Sequence, residues 1–504
     1  MKNRTLIWAS VVAAGALVLF QGCGGGGGGG TTMPTPVIVD INGGMAASAS
    51  SGSIFVIDGT GFGTPTSSSS GYSVAFRDST TNAVVANATV DLSTSGNWTD
   101  VFIKATVPNQ LTAGTTYKVT VTTPGGTSNA LNFLIAASVS FSPSTILWSQ
   151  SYSLPTAMQG FSVVAGGVGT TTYVYAIGGN TATSGTANGD NANVDTVYQN
   201  KVNNADGTLA NTTWSTLTAL PAKRGFAAAA FANSYDSLIN GSVIYVLGGL
   251  DDTGAATSTV YFAFLNSSDG TIPASGSSGT WTTTTALPQP LSALTAVIFH
   301  GRIYVAGGNA SNGAPVTKVY SAKINSDGTL ASWSTLTDLP VALAFHQLVE
   351  IAGTLYILGG DNAAVDPISD AASAAAQDSV YYNPINIQTG AISSSWTQNS
   401  NKMTKAREKF SAVGAGGFIL VTGGLYGGNP GSSEESYSSV NTDGSLSSFN
   451  GATGSSTIVK TSGYSFYNHG HCFVVDSSGK PHVLILGGAD VTTGALYAEV
   501  WYQY

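Results

Sequence analysis

Six short apolar runs, each ending in two glycines, recur along the last two thirds of the chain. They read YVYAIGG, IYVLGG, IYVAGG, LYILGG, FILVTGG and VLILGG, and their first glycines are residues 178, 248, 307, 359, 423 and 487. Runs of four to six apolar, β-branched or aromatic residues predict strands that are buried on both faces. The glycines permit backbone conformations with positive φ, which are unfavourable for residues that carry a Cβ atom. A regular recurrence of this length is typical of a propeller or a solenoid.

Other markers keep a constant order around these runs. Trp214 and Leu220-Pro221 come before the second run, and the pair Val260-Tyr261 and the turn Asp269-Gly270 come after it. Val-Tyr opens a further strand, and Asp-Gly is a turn sequence that joins antiparallel strands. Each unit is therefore predicted to hold four antiparallel strands.

This order of elements resembles the kelch repeat, and the resemblance extends over residues 142–504. It implies a six-bladed β-propeller. The last unit holds only three predicted strands before Tyr504, and we expect Ile146–Tyr152, which carries Trp148, to supply the fourth. A blade built from both ends of this region would close the ring and leave no free sheet edge.

Residues 36–136 are predicted to form a separate unit of short strands. Seven candidate strands separated by Gly, Pro and Ser clusters imply a β-sandwich. The segments Asp58–Gly63 and Tyr117–Gly126 resemble an IPT/TIG domain, an immunoglobulin-like module common on extracellular proteins. The predicted fold class is therefore all-β: an Ig-like β-sandwich followed by a six-bladed kelch-type β-propeller, closed by its N- and C-terminal strands.

Residues 1–22 are predicted to be a signal peptide, because a basic start precedes an apolar stretch that is short for a membrane span. The ending Gly22-Cys23 resembles a bacterial lipoprotein signal, in which the cysteine is lipidated. Residues 23–35 would then form a glycine-rich tether that holds the folded part away from the membrane. Gly24 after the cysteine resembles lipoproteins sorted to the outer membrane. We therefore expect an outer-membrane lipoprotein at the cell surface or outside the cell, in contact with the membrane through its lipid anchor only.

Charged residues make up 9% of the chain, and the formal net charge is −9. A weakly acidic chain without basic runs argues against nucleic acid as a partner. Cys472 is the only cysteine after Cys23, so a mature chain would form no internal disulfide. His469 and His471 precede Cys472, but no third and fourth metal ligands are near in sequence. The repeat register aligns His471 with His346 at a packing position, so we predict a packing role and no metal. Galactose-oxidase-like kelch enzymes bind copper through a histidine pair that has no match here.

Two basic clusters are candidates for a binding site: Lys223-Arg224 in the second unit and the run around Arg407-Glu408 in the fifth. The repeat register aligns Lys223 with Arg407. Kelch repeats often place arginine at the mouth of the central channel, and units two and five of a six-membered ring face each other. The resemblance therefore implies a polar-ligand site at the channel mouth, formed by these four residues and His346. The alternative is that the charges solvate the start of two inner strands. No residue is predicted to be catalytic.

The loops after the glycine pairs are rich in acidic residues. They hold 11 of the 26 Asp and Glu residues of the chain: Asp190, Asp195, Asp251, Asp252, Asp361, Asp366, Asp370, Asp378, Glu434, Glu435 and Asp490. Oxygen-rich loops suit calcium, although none of them has the spacing of an EF-hand. Ca²⁺ is therefore the one cofactor that the sequence raises, and solvation of the loops is the alternative.

Three functions agree with these features. The first is a surface-anchored, non-catalytic binding or adhesion module, which contacts a glycan, a matrix component or an envelope protein through the propeller loop face. The second is a kelch-type carbohydrate-active enzyme, similar to sugar epimerases or mutarotases, with its site at the channel mouth. The third is a structural role in an outer layer, which the neutral Ser/Thr/Gly-rich composition favours. The sequence favours the first.

Overall fold

A computed structural model describes residues 33–503 except 42–45, 50, 53, 66–69, 93–96, 136–146, 170, 185, 187–188, 234–238, 240, 387–388, 416, 427–434, 442, 452–465 and 478–479. Within this part the chain is all-β, with antiparallel sheets throughout apart from one parallel strand pair. The described residues contain a 3-10 turn at Gly189–Asn191 but no α-helix, and thus no helix long and apolar enough to cross a membrane. The predicted signal peptide and Cys23 lie outside the described residues.

The first nine strands form two sheets. One has the order β1-β3-β6; the other has the order β2-β9-β7-β4-β5, with β8 paired to β7. Phe55, Phe76 and Phe133 meet edge to face between the two sheets, with ring centroids 5.2 to 5.5 Å apart. This arrangement is compatible with an Ig-like sandwich. The strands are β1 Val37–Ile41, β2 Ala46–Ala49, β3 Ile54–Thr60, β4 Ser73–Asp78, β5 Val84–Asn87, β6 Phe102–Thr106, β7 Thr116–Thr123, β8 Gly126–Thr127 and β9 Leu131–Ile135.

Six further sheets follow, one for each repeat unit, and we number them 1 to 6. Sheet 1 contains β11–β14, sheet 2 β15–β18, sheet 3 β19–β22, sheet 4 β23–β27, sheet 5 β29, β30, β32 and β33, and sheet 6 β10 and β34–β37, while β28 pairs with β31. The strands are β10 Trp148–Gln150, β11 Ser162–Val168, β12 Thr171–Ile177, β13 Val197–Lys201, β14 Ser215–Thr216, β15 Ala228–Ala232, β16 Val243–Leu247, β17 Val260–Phe264, β18 Thr282–Thr283, β19 Thr295–Phe299, β20 Arg302–Ala306, β21 Val319–Lys323, β22 Ser334–Thr335, β23 Gln347–Ile351, β24 Thr354–Leu358, β25 Val380–Asn386, β26 Ala391–Ile392, β27 Thr397–Gln398, β28 Arg407–Glu408, β29 Ser411–Ala415, β30 Phe418–Thr422, β31 Leu425–Tyr426, β32 Ser436–Ser439, β33 Asn450–Gly451, β34 Phe466–Tyr467, β35 Gly470–Val475, β36 Pro481–Asp490 and β37 Leu496–Gln503.

The apolar runs are the second strands of these sheets. In sheets 1 to 5 the strand ends directly before its glycine pair, as the sequence predicts, whereas β36 continues through Gly487-Gly488 to Asp490 with a register shift at the pair. Both glycines of every pair have positive φ, for example 56° and 97° at Gly307 and Gly308. A Cβ atom on Gly307 would lie 2.4 Å from the carbonyl oxygen of Leu343 in the next unit. The glycines are therefore required both by the turn and by the close approach of the neighbouring unit.

The first strands of the six sheets, here called the inner strands, contact one another in a cycle: β11, β15, β19, β23, β29, β35 and again β11. One residue just before each inner strand donates its backbone N–H to the carbonyl of its counterpart in the preceding unit, at 2.7 to 3.2 Å. Six such hydrogen bonds form a closed loop. Its members, here called the ring residues, all have φ between 50° and 57°; they are Gly160, Phe226, Ala293, Phe345, Lys409 and Asn468.

Sheet 6 is built from both ends of the repeat region. Strand β10 pairs with β37 in antiparallel register, with Trp148 opposite Gln503 and Gln150 opposite Trp501. The prediction that the segment around Trp148 supplies the missing strand is confirmed by this pairing.

The N-terminal sheets pack against sheets 3 and 4. Phe102 meets Phe299 edge to face at 6.4 Å, and Asp58 lies 2.7 Å from the Nδ1 atom of His300. Val56 joins the same apolar cluster as Leu355. The two N-terminal sheets, here together called the sandwich, therefore contact the hairpins that link inner strands to second strands in sheets 3 and 4.

Candidate functional site

The loops that follow the glycine pairs begin around the ring residues, at the end of the ring here called the loop face. The residue after each glycine pair forms a backbone bridge to a residue of its own unit that lies just before the inner strand; the bridges are Asn180 to Gln159, Leu250 to Gly225, Asn309 to Ser292, Asp361 to Ala344, Leu425 to Glu408 and Ala489 to Tyr467. The predicted site therefore has to be sought in the residues just before the inner strands.

Arg224 and Arg407 occupy equivalent positions in units two and five, and both are buried. The carbonyl of each accepts a hydrogen bond from the second glycine of the preceding unit, from Gly179 at 2.8 Å and from Gly360 at 2.9 Å. The same position holds Met158, Leu291, Leu343 and Phe466 in the other units. These two arginines thus lie in separate interfaces between units, at a position that is otherwise apolar.

Each arginine is held by local partners. The guanidinium of Arg407 donates to the carbonyl of Gly423 at 3.0 Å, and that of Arg224 donates to the carbonyl of Lys223 at 2.6 Å. The Arg224 guanidinium also lies 5.1 Å from the centre of the Tyr261 ring. Lys223, which the sequence aligned with Arg407, is exposed and one residue away from the equivalent position.

Glu408 is the most unusual carboxylate of the predicted set, because its side chain is fully buried. Its Oε1 atom accepts a hydrogen bond from the Ser373 backbone N–H at 2.9 Å. Its Oε2 atom and the Oδ2 atom of Asp361 are buried without a hydrogen-bond partner. Burial raises the pKa of Glu408, although the nearby Lys409 ammonium opposes this.

His346 lies one residue beyond a ring residue and is fully buried. Its Nε2 atom is 3.0 Å from the hydroxyl of Thr295 on the preceding inner strand. Burial lowers the pKa of His346 to about 4, so the imidazole is neutral near pH 7. It is a packing residue of the ring.

Lys409 is the residue that the sequence analysis did not single out. As a ring residue it is only 3% exposed, and its Nζ atom donates to the carbonyls of Asp366 at 2.7 Å and Ser369 at 2.9 Å. The ammonium also lies within 6 Å of the rings of Phe345 and Tyr467. Burial lowers the pKa of Lys409, and the carboxylates around it, Glu408 first, oppose this.

The segment Asp366–Asp370, here called the plug, closes the centre of the loop face. Ile368 is 2% exposed and packs in one apolar cluster with the ring residues Phe226 and Phe345. Asn468 donates to the carbonyl of Pro367 at 2.8 Å, and the Tyr467 hydroxyl donates to the carbonyl of Ile368 at 3.2 Å. The centre of the loop face, where the sequence predicts a polar-ligand site, is therefore filled by Ile368 and the neighbouring plug residues.

The three histidine and cysteine residues considered for a metal lie on or beside the sixth inner strand. His469 and Cys472 are buried; burial lowers the pKa of His469 well below its usual value and raises the pKa of Cys472. His471 contacts the Ala412 carbonyl at 2.6 Å. His469, and not His471, is the counterpart of His346, because each packs against the second glycine of a pair. In the described part of the chain, no group of three His, Cys, Asp or Glu side chains is arranged to hold a metal.

The inner strands enclose a cavity of about 460 Å³ along the ring axis, here called the central channel. Its lining runs from the ring residues at the loop face to the far ends of the six strands, at Ala165, Phe231, Ile298, Glu350, Gly414 and Phe473. No protein-family model matches this chain. No curated protein shows significant similarity to it either.

Proposed function

We propose that residues 142–504 form a six-bladed kelch-type β-propeller and that residues 36–136 form an Ig-like domain of the IPT/TIG type. Support for six blades comes from the closed cycle of inner strands and from the loop of six backbone hydrogen bonds through the ring residues. The pairing of β10 with β37 is the closure that such a ring requires. The two packed sheets of residues 37–135 support the Ig-like assignment.

We propose that the chain is a non-catalytic binding or adhesion protein, which contacts a glycan, a matrix component or an envelope protein through its loop face. The observation that carries this proposal is the plug. Ile368 fills the centre of the loop face, and the candidate polar residues Glu408 and Arg407, like Lys409, are buried. A small-molecule enzyme needs a concave site with accessible polar groups, whereas a filled surface suits a large or extended partner.

The loops of this face are fixed to one another, which favours binding of a partner without rearrangement. Asn193 donates to the carbonyl of Asp251 at 2.7 Å, and the Asp370 N–H donates to the hydroxyl of Ser184 at 3.2 Å. Loops held on a rigid scaffold commonly carry function. Ca²⁺ remains a proposal for the acidic loops, in which Asp252 and Asp366 are exposed.

We further propose that the protein is anchored in the outer membrane through a lipid on Cys23 and displayed at the cell surface or outside the cell. The glycine-rich residues 24–30 would serve as a tether between the anchor and the sandwich. Metabolic labelling with a fatty acid tests this: wild-type chain should be labelled and Cys23→Ser should not. Equal labelling of both would exclude the anchor.

The loop-face proposal is tested by binding of the full chain to glycan and matrix-protein arrays, with a parallel screen for turnover of sugars. Asp252→Lys, Ser311→Lys and Ala364→Lys each change an exposed residue of the loop face, and at least one should reduce binding tenfold or more. Ser326→Lys is the matched control, because Ser326 is exposed in the turn between β21 and β22, at the opposite end of sheet 3. Equal binding by all four variants would exclude the loop face, and product formation from a sugar would favour the enzyme.

A further inference from the structure

The central channel is closed at one end only. The plug and the ring residues block it at the loop face, whereas at the far end Phe473 is 42% exposed. A cavity of about 460 Å³ is within the range of small-molecule sites, roughly 300 to 1,000 Å³. It is thus a blind pocket that opens toward the side on which the sandwich is docked.

The wall of this pocket is electrically almost neutral. Lys409 is directed to the plug carbonyls, and burial lowers the pKa values of His346 and His471 to about 4, so both imidazoles are uncharged near pH 7. Glu350 is at the rim, where its Oε1 atom accepts from the Gly353 N–H at 2.6 Å and where Lys104 of the sandwich is the nearby opposite charge. Among the described residues that line the channel, none offers a free counter-charge deeper inside for a phosphate, a carboxylate or a cation.

The wall is rich in peptide groups, because the inner strands are the free edges of their sheets. Some of these groups are used between strands: Ser162 donates to the Ala227 carbonyl at 2.7 Å, and Gln347 donates to the Phe410 carbonyl at 2.8 Å. Free edges offer both N–H donors and C=O acceptors. Hydroxyl groups, which donate and accept, match such a wall better than purely apolar or charged groups do.

Two of the six strands place an aromatic residue at the open rim. Phe473 is exposed, and the partly buried Phe231 lies over Gly166, where a Cβ atom would be 2.1 Å from its ring. The rim therefore offers flat apolar faces to a ligand that enters beside them.

We propose that the central channel is a second binding site, distinct from the loop face, and that it takes an uncharged saccharide of one or two rings. The saccharide hydroxyls bond to the peptide edges inside the channel, and its apolar ring face stacks on Phe473 at the rim. Because the plug closes the channel at the loop face, the ligand enters and leaves through the opposite end, next to the sandwich.

Isothermal titration calorimetry of the full chain with cellobiose, maltose and lactose tests the proposal. We expect at least one to bind. Phe473→Ala should weaken this binding about tenfold, the equivalent of one aromatic contact. Ala165→Phe should block the rim, and Gly167→Ala should leave the affinity within twofold, since a Cβ atom there meets no atom within 4 Å.

Three outcomes would overturn the proposal. The first is that none of the three sugars binds. The second is that Phe473→Ala and Ala165→Phe bind the sugar with wild-type affinity while their melting temperatures match wild type. The third is that the protein prefers n-octyl β-glucoside or a uronic-acid disaccharide to the neutral sugars. The first two would show that the channel is not the site, and the third that its occupant is an alkyl chain or an anion. The loop-face variants should not change sugar affinity, so failure of the loop-face function is recognised separately.

Discussion

Replacement of Lys409 by methionine is expected to destabilise the protein and to release the plug. Methionine keeps the length and the apolar contacts with Phe345 and Tyr467 but removes the ammonium. The carbonyls of Asp366 and Ser369 then lose their donor, at the distances of 2.7 and 2.9 Å given above. Hydrogen bonds to a charged donor contribute about 1.5 to 3 kcal/mol each.

The substitution also removes the positive charge beside Glu408 and Asp361, each of which has a buried oxygen without a hydrogen-bond partner. Part of the loss is offset, because the ammonium no longer has to be desolvated. Breaking a buried charge pair by removing one partner costs about 3 to 5 kcal/mol, and we expect a net loss of about 3 kcal/mol. For a unit of the size of residues 142–504, this loss should lower the melting temperature by roughly 4 °C.

Urea unfolding followed by tryptophan fluorescence at pH 7 measures the stability, and amide hydrogen exchange measures the plug. The matched control is Lys402→Met, because Lys402 is 55% exposed and pairs with Asp378 at 2.9 Å on the surface. An exposed pair contributes about 0 to 1 kcal/mol, so this variant should be close to wild type. If the two variants had the same stability, or if exchange at residues 366–370 stayed slow in Lys409→Met, Lys409 would not hold the plug.

Three further changes test other parts of the structure. Glu408→Gln keeps the oxygen that accepts from the backbone N–H. Because the pKa of Glu408 is raised in the folded state, the folded protein holds this proton at a pH where the unfolded chain has lost it, so the free energy of unfolding of wild type should fall as the pH rises from about 4.5 through the raised pKa. This fall should be absent in the variant when unfolding is measured across about pH 4 to 7. Gly307→Ala places a Cβ atom against a backbone carbonyl at positive φ and should cost about 3 kcal/mol or more in urea unfolding, whereas Gly167→Ala, which has open space, should be nearly neutral; equal effects would exclude the close approach. Tyr245→Phe removes a buried hydroxyl that donates to the Gly328 carbonyl of the next unit at 2.7 Å, and differential scanning calorimetry should show a loss of about 1 to 2 kcal/mol; an unchanged transition would mean that this bond does not link the units.

The same tyrosine contact recurs between neighbouring units, which explains how a local repeat becomes a ring. Tyr175, Tyr245, Tyr304 and Tyr356 each donate to a glycine carbonyl of the following unit, at 2.7 to 3.2 Å. Each tyrosine lies within an apolar run that ends in a glycine pair. The repeat therefore carries both the strand and its link to the next sheet.

Sequence reasoning assigned the candidate site less well than the strands. It aligned Lys223 with Arg407 and His471 with His346, whereas the hydrogen bonds from the glycine pairs make Arg224 the counterpart of Arg407, and the packing makes His469 the counterpart of His346. These shifts of one or two residues arise because hairpins differ in length between units. In a strand, a shift of one residue moves a side chain to the opposite face.

The plug was beyond reach of the sequence for a different reason. The loop Asp361–Ser379 is long and acidic, which suggested an exposed surface. Only the folded chain brings Ile368 over Phe226 and Phe345 and carries the Lys409 ammonium to the Asp366 and Ser369 carbonyls. The unusual length of this loop was the available sign that it could reach the centre of the loop face. Length alone, however, does not predict which residues the loop packs against.

The sequence by itself determined the all-β character, the six apolar runs with their glycine pairs, and the pairing of the segment around Trp148 with the last strand. These features follow from short-range periodicity and from the conformational freedom of glycine, both of which can be read along the chain. The tertiary structure alone decided which charged residues are buried, which end of the channel is closed, and what remains accessible. Burial and closure depend on contacts between residues that are far apart in sequence, and a local sequence pattern does not specify which distant residues will meet.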